Sequence, residues 1–300
     1  MNNIRKKFQL DTIHSSRIIG SKITIAILDS GLYPHQDFVG RIIHFKDFIN
    51  NKTTVYDDNS HGTHVCGIIG GNGLMSNGIY KGVAPGCNLL PIKVLNSQGT
   101  GSPDVILDGI QWIMQNMDKY QIKIVNISIG TKVSSCKDEE SALVKAVDAM
   151  WDLGITVITS AGNYGPDYTT ITTPGISRKV ITVGASEALI TQDAHGKAFT
   201  SYSGKGPTPC KIPKPDITAP GSHIISCSTY KNGYISKSGT SMSTPIVSGA
   251  AALAYSLNPY LTNTEFKENL CLCATDLGLD RYTQGCGELN IQKLLLLCNP

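Results

Sequence analysis

Five continuous apolar, β-branched runs recur along the chain: KITIAIL (22–28), NLLPIKVL (88–95), IKIVNISI (122–129), ITVITSA (155–161) and KVITVGA (179–185). None alternates apolar with polar residues, as a strand with one wet face would. They predict strands covered on both faces. Helical patterns lie between them. In SPDVILDGIQWIMQNMDKY, Ser102 is placed to cap a helix and Pro103 to take its first position. Val105, Ile106, Ile110, Ile113 and Met117 then recur at helical spacing. DEESALVKAVDAMWDLG reads as a second helix, acidic at its start and stopped near Gly154. Strands alternating with helices predict an α/β fold, doubly wound, with a mostly parallel sheet and helices on both faces.

The stretch from 186 to 222 breaks this rhythm, and Ser203-Gly204-Lys205-Gly206-Pro207 and Lys214-Pro215-Asp216 read as surface loops. No internal repeat or linker divides the chain. It reads as one domain over 1–300, with the first 21 residues packing onto it. The octet SGTSMSTP (238–245) precedes the apolar run IVSGAAALA and predicts a helix start, with Pro245 in the first turn. Taken alone, its serines fit either a cap or a nucleophile set at the positive end of a helix dipole.

Composition narrows the classes. A net charge of +3, with no basic run longer than Arg5-Lys6-Lys7, gives no reason to expect nucleic acid. No apolar stretch is long enough for a membrane helix, and LLLLC (294–298) is expected to pack on the core. The nine cysteines form no paired zinc-type spacing, so no metal site is expected, and reduced, mostly buried thiols in a cytoplasm are the reading.

The chemistry lies at predicted strand and helix ends. Asp29 closes the first strand in AILDSG, at the carboxyl edge where open α/β sheets place their sites. His61 lies in DDNSHGTHVCGIIGG, where Asn59 or Ser60 could cap a helix that also carries His64. Two histidines three apart suggest a metal pair only weakly, and no carboxylate at the usual spacing supports one. In chain order DSG, HGTH and GTSMSTP give Asp, His and Ser. This order resembles the subtilisin-like serine proteases, the subtilases. The resemblance runs from about residue 18 to 292 and includes GVAP (82–85), NISIG (126–130), SAGNYGP (160–166), TPG (173–175) and KPDITAPG (214–221). It is strongest for bacterial intracellular-type members.

The resemblance implies a serine endopeptidase with Ser241 as nucleophile, His61 as base and Asp29 as the orienting acid. Asn163 matches the side-chain donor of the oxyanion hole, with the Ser241 N–H as the second donor. A substrate peptide is implied to add as a strand between Gly99-Thr100-Gly101 and Ser128-Ile129-Gly130. Thr172 is placed at the base of the first pocket and Tyr164 near it, which points to a medium, apolar subsite rather than one for Lys or Arg. Thr173-Pro174 resembles the family's cis peptide. Cys66, on the helix of His61, reads either as a small buried thiol or as a group beside the active site.

Asp37 resembles one ligand of a structural calcium site. The loop GLMSNGIYK departs from the usual ligand-rich sequence, so weak or absent binding is expected, and no cofactor is required. Only 28 residues precede Asp29, too few for a signal and a long prodomain, which suggests a cytoplasmic enzyme that folds without one. Partners are expected to be peptide or protein substrates, with neither nucleic acid nor membrane. Two other functions fit the sequence: a dedicated precursor-processing or leader-peptide protease, and a catalytically silent binding protein on the same fold.

Overall fold

The computed structural model describes residues 1–187 and 201–299. The centre of the expected turn-rich stretch, 188–200, and Pro300 therefore lie outside the described residues. Seven parallel strands form the main sheet: β1 (Thr24–Asp29), β2 (Lys46–Asp47), β3 (Asn88–Lys93), β4 (Ile122–Ile127), β5 (Thr156–Ser160), β6 (Ile181–Ala185) and β7 (Ile217–Ala219). Their spatial order is β2-β3-β1-β4-β5-β6-β7. All five apolar runs are strands, and β1, β5 and β6 are buried at every position.

The winding reverses beside β1. From β1 the chain passes to the edge strand β2, comes back to β3 beside β1, and then lays β4 on the opposite side of β1. Parallel sheets open a crevice at such a switch point, at the carboxyl ends of the strands. Asp29 ends β1, and Ser128 follows β4 there.

Helices α3 (His61–Gly70) and α6 (Thr240–Leu257) pack against each other and the sheet. Helices α4 (Pro103–Tyr120) and α5 (Ala142–Asp152) form a second packed pair. In α4 the Ser102 hydroxyl accepts the Val105 N–H, and Pro103 is the first helical residue. The acidic start expected for α5 is a separate turn, Cys136–Glu140; Ser141 caps the helix itself, because its hydroxyl accepts the Val144 N–H. An antiparallel hairpin of β8 (Ile224–Cys227) and β9 (Tyr234–Lys237) packs on α3 and was not legible as strands.

Helices α1 (Asn2–Lys7) and α2 (Leu10–Ser15) fold back on the domain and bury Ile4, Leu10 and Ile13. At the other end stand α7 (Asn263–Cys273), α8 (Arg281–Gln284) and α9 (Ile291–Cys298). Leu294, Leu295 and Cys298 of α9 are buried, so the apolar tail packs as expected, while Leu296 and Leu297 face outward.

Three readings need correction. Pro245 lies in the second turn of α6, not the first, because the helix already begins at Thr240. It removes the bond its N–H would give to the Ser241 carbonyl. The supposed surface loop at Lys214-Pro215-Asp216 is buried, since the Lys214 ammonium pairs with Asp216 and also donates to the Val180 carbonyl. The cysteines are not all reduced: Cys271 and Cys286 form a disulfide, and seven remain free. An odd count counselled against a disulfide framework, but it does not exclude one bridge.

Candidate active site

Asp29 is buried at the end of β1. Both its oxygens lie within hydrogen-bond distance of His61 Nδ1, at 2.8 and 2.9 Å. The Ser30 N–H adds a further bond to Oδ1 at 2.7 Å. With Nδ1 held by the carboxylate, the imidazole keeps Nε2 free for a second partner. Burial alone would lower the pKa of His61. The charge and hydrogen bond of Asp29 outweigh it and raise the pKa above its ordinary value, while the Lys237 ammonium opposes the rise.

His61 is the first residue of α3, whose start is organised differently from the expected cap. Ser60 takes a left-handed conformation (φ 81°) and makes no side-chain cap. Asn59 Oδ1 accepts the His61 N–H. The larger part falls to Asp57, which sequence reasoning missed. Its Oδ1 accepts from Asn59 N, Ser60 N and Ser30 Oγ, and its Oδ2 from Thr63 N and Thr63 Oγ1. Burial raises the Asp57 pKa, but these donors bring it below the ordinary carboxylate range. The only signal was an Asp shortly before a helix start. Lys93 was also missed; it is fully buried and ties Ser30 O, Leu95 O and Asp58 Oδ1 together.

Ser241 is the second residue of α6, at the positive end of an 18-residue helix. Its backbone N–H makes no hydrogen bond among the described residues. Its hydroxyl donates to the Ser128 carbonyl at 2.8 Å rather than to His61. Gly239 precedes the helix with φ +150°, and a Cβ there would stand 3.3 Å from Asn163 Nδ2. Asn163 Oδ1 accepts from Thr240 N and Thr240 Oγ1, at 2.9 and 3.0 Å. Its Nδ2 is left without a partner among the described residues. The Asn126 amide bridges Ser128 Oγ and Ser248 Oγ, fixing the end of β4 to α6.

A cleft of about 610 Å³ gathers these groups. His61, Asn163 and Ser241 line it, with Asp29 behind His61. Gly99, Thr100 and Gly101 also line it, as do Ser128, Ile129, Gly130 and Thr172. Every site residue expected from the sequence is therefore at or directly behind one cleft. Thr172 is buried, and its Oγ1 has no partner among the described residues. It is wedged between two glycines: a Cβ on Gly130 would meet Thr172 Oγ1 at 2.4 Å, and one on Gly162 would meet its Cγ2 at 2.4 Å. Thr173-Pro174 is a cis peptide, and Thr173 pairs with Thr131 across the wall. Among the described residues no Asp or Glu lines the cleft, and the Lys132 ammonium sits over the Tyr164 ring at 4.5 Å.

The neighbouring candidates have structural roles. His64 is buried, with Nε2 shared between the Ile224 and Ile235 carbonyls, and burial with the Lys237 charge pushes its pKa down to about 3. Cys66 is fully buried; burial and the Asp29 charge raise its thiol well above the usual range, so it is an inert packing group. Asp37 does not fit a calcium ion. Its Oδ1 accepts the Met75 N–H, and its Oδ2 accepts the Tyr234 and Cys227 side chains. His35, Asp37 and Cys227 are the one set of three potential metal-ligand side chains among the described residues. His35 Nδ1 accepts the Asp37 N–H, and the three groups are committed to protein partners.

Comparison with known proteins agrees with this geometry. The family model described as "Subtilase family" matches residues 20–288. "Serine protease AprX" of Bacillus subtilis (strain 168) is 44% identical over 271 residues, 84% of this chain and 61% of that protein. "Subtilisin DY" of Bacillus licheniformis is 34% identical over 286 residues, 94% of each chain. The solved structure "Sphericase" superposes with a TM-score of 0.77 at 32% identity, covering 91% of this chain and 92% of that one. The chain thus spans less than two thirds of AprX and nearly all of subtilisin DY.

Proposed function

Because the chain belongs to the subtilase family of serine endopeptidases, we propose that it cuts internal peptide bonds through an acyl-enzyme formed on Ser241. The observation that carries this is the Asp29–His61 clamp opening onto the cleft that Ser241 also lines. The Ser241 hydroxyl leaves the Ser128 carbonyl for His61 Nε2, which takes its proton as Oγ attacks the scissile carbonyl. Asn163 Nδ2 and the Ser241 N–H receive the developing oxyanion. His61 then protonates the leaving amine, and a water repeats the cycle to release the acid. No step requires a metal.

The peptide lies as a strand between Gly99-Thr100-Gly101 and Ser128-Ile129-Gly130, where small residues allow close backbone approach. The first pocket takes a medium, apolar side chain. Thr172 shortens its base, and Lys132, with no carboxylate lining the cleft among the described residues, disfavours Lys and Arg. Replacing Thr172 by Gly deepens the pocket, and is expected to raise kcat/KM for large aromatic over small apolar residues by about 10-fold or more, the scale set by a few methylenes. An unchanged ratio would refute the assignment of Thr172.

A fluorophosphonate probe tests the chemistry. It is expected to label the wild type and not Ser241→Ala; an unlabelled wild type would support a silent binding protein, which the complete Asp-His-Ser set argues against. Casein digestion compared with cleavage of single precursor peptides separates a general from a dedicated processing protease. Among the described residues no helix is long and apolar enough to cross a membrane. The Cys271–Cys286 disulfide fits an oxidising compartment and stands against the cytoplasmic expectation. Immunoblotting of cell and medium fractions decides between them.

A further inference from the structure

Two free cysteines meet at the protein surface, outside the catalytic set. Cys136 is exposed and opens the turn Cys136–Glu140. Cys210 is half-buried, 74 positions further along, in the turn closed by Thr208 and Ile212. The Cys210 thiol donates to the Cys136 carbonyl oxygen at 3.7 Å, which sets it against the residue that carries the second thiol. Two further bonds dock the segments: Glu139 Oε1 accepts from Thr208 Oγ1 at 2.8 Å and from Cys210 N at 3.3 Å. The segments that carry the two thiols are thus held together by contacts that do not depend on a cross-link.

We propose that Cys136 and Cys210 form a reversible dithiol site that closes to a second disulfide by exchange with a small-molecule disulfide of the oxidised-glutathione class, pinning one wall of the substrate cleft. The exposed Cys136 thiolate attacks one sulfur of the small disulfide. That S–S bond breaks, one small thiolate leaves, and a mixed disulfide forms on Cys136. Cys210 gives its proton to solvent and attacks the Cys136 sulfur, expelling the second small thiol. Two protein thiols are oxidised and one small disulfide is reduced to two thiols. Cys136 is the entry thiol because Cys210 is less accessible and donates its proton to the Cys136 carbonyl.

The connection to the cleft runs through the chain. Thr131 and Leu143 both line the cleft, and Cys136 lies on the segment between them. Thr131 also pairs with Thr173 beside the first pocket. A bond from Cys136 to the 208–212 turn restrains this wall from outside without touching the reacting groups. The effect is expected on substrate binding rather than on the chemical step.

The test uses the full chain carrying Ser241→Ala, which prevents self-digestion, treated with oxidised glutathione. Expected are the loss of two titratable thiols, an intact mass lower by two hydrogens, and a proteolytic fragment joining the Cys136 and Cys210 peptides. In Cys210→Ser the reaction is expected to stop with one glutathione on Cys136. A stable glutathione adduct in the unsubstituted pair, a cross-link between two copies, or no reaction would each overturn the proposal. In the active enzyme, oxidation is expected to change KM severalfold with kcat unchanged, reversibly with a dithiol reductant. An unaltered KM in the cross-linked enzyme would remove the link to the cleft. The cross-linking readouts do not require activity, so they stand or fall apart from the proposed function.

Discussion

At the scale of single residues, the decisive balance is the one around His61. It must be neutral to accept the Ser241 proton, so activity falls as pH drops through its pKa. Asp29 raises that pKa and Lys237 lowers it. Lys237→Gln removes the opposing charge and raises the pKa further. The acid limb of the kcat/KM profile is therefore expected to move to higher pH, with activity on the alkaline side little changed. A limb that stays in place or moves down would show that Lys237 does not act on the imidazole. Asn163→Ala removes the unpartnered Nδ2 and is expected to lower kcat by about 10²–10³ with KM little altered, the magnitude known for such a donor in subtilisin. A raised KM with kcat unchanged would assign Asn163 to substrate binding instead. Asp29, His61, Asn163 and Ser241 were legible because each sits in a short motif where its type is chemically specific. Asp57 and Lys93 were not. An Asp near a helix start is common, and a Lys in a strand gives no hint that three acceptors wait in the interior.

At the scale of elements, what was legible follows from burial. Strands covered on both faces must be apolar throughout, so β1, β3, β4, β5 and β6 stand out in the sequence. β2 and β7 are two and three residues long, and the β8–β9 hairpin has an exposed strand, so none carries enough pattern to be read. The disulfide was missed for a related reason: spacing does not show that α7 and the segment after α8 come together. Cys271 and Cys286 close a loop of 15 residues, which by loop entropy stabilises the fold by about 3 kcal/mol. The Cys271→Ser, Cys286→Ser double variant is expected to shift the urea midpoint downward, with a slope equal to or slightly steeper than the wild type's because the unfolded chain is less compact. A midpoint equal to that of the wild type would mean that the packing of α7 on α9 already fixes this corner.

At the scale of the whole molecule, buried histidines tie stability to pH. His64 connects α3 to both strands of the β8–β9 hairpin through the Ile224 and Ile235 carbonyls. His14 connects the N-terminal helices to the Val83 carbonyl, and burial is the main cause that lowers its pKa. His64 has a pKa of about 3 when folded against 6.5 when free, so the unfolded chain binds the extra proton. Its stabilisation is complete above 6.5 and is lost as pH falls toward 3. His61 has the opposite sign, but its raised pKa makes its contribution constant below 6.5. Asp57 and Asp216, both lowered, enter only below their free value of 3.8. Below 6.5 His64 therefore costs up to about 1.4 kcal/mol per pH unit, and the Met1 amino group, which burial lowers from 8.0 to about 5, acts in the same direction down to about 5. His64→Gln keeps a donor for the two carbonyls and removes the titration. Unfolding free energies measured by denaturant across this range in the Ser241→Ala background are expected to show a variant less stable at neutral pH but flatter toward acid. Parallel curves would mean that His64 opens to solvent before the fold is lost, and that the hairpin leaves α3 as a separate unit.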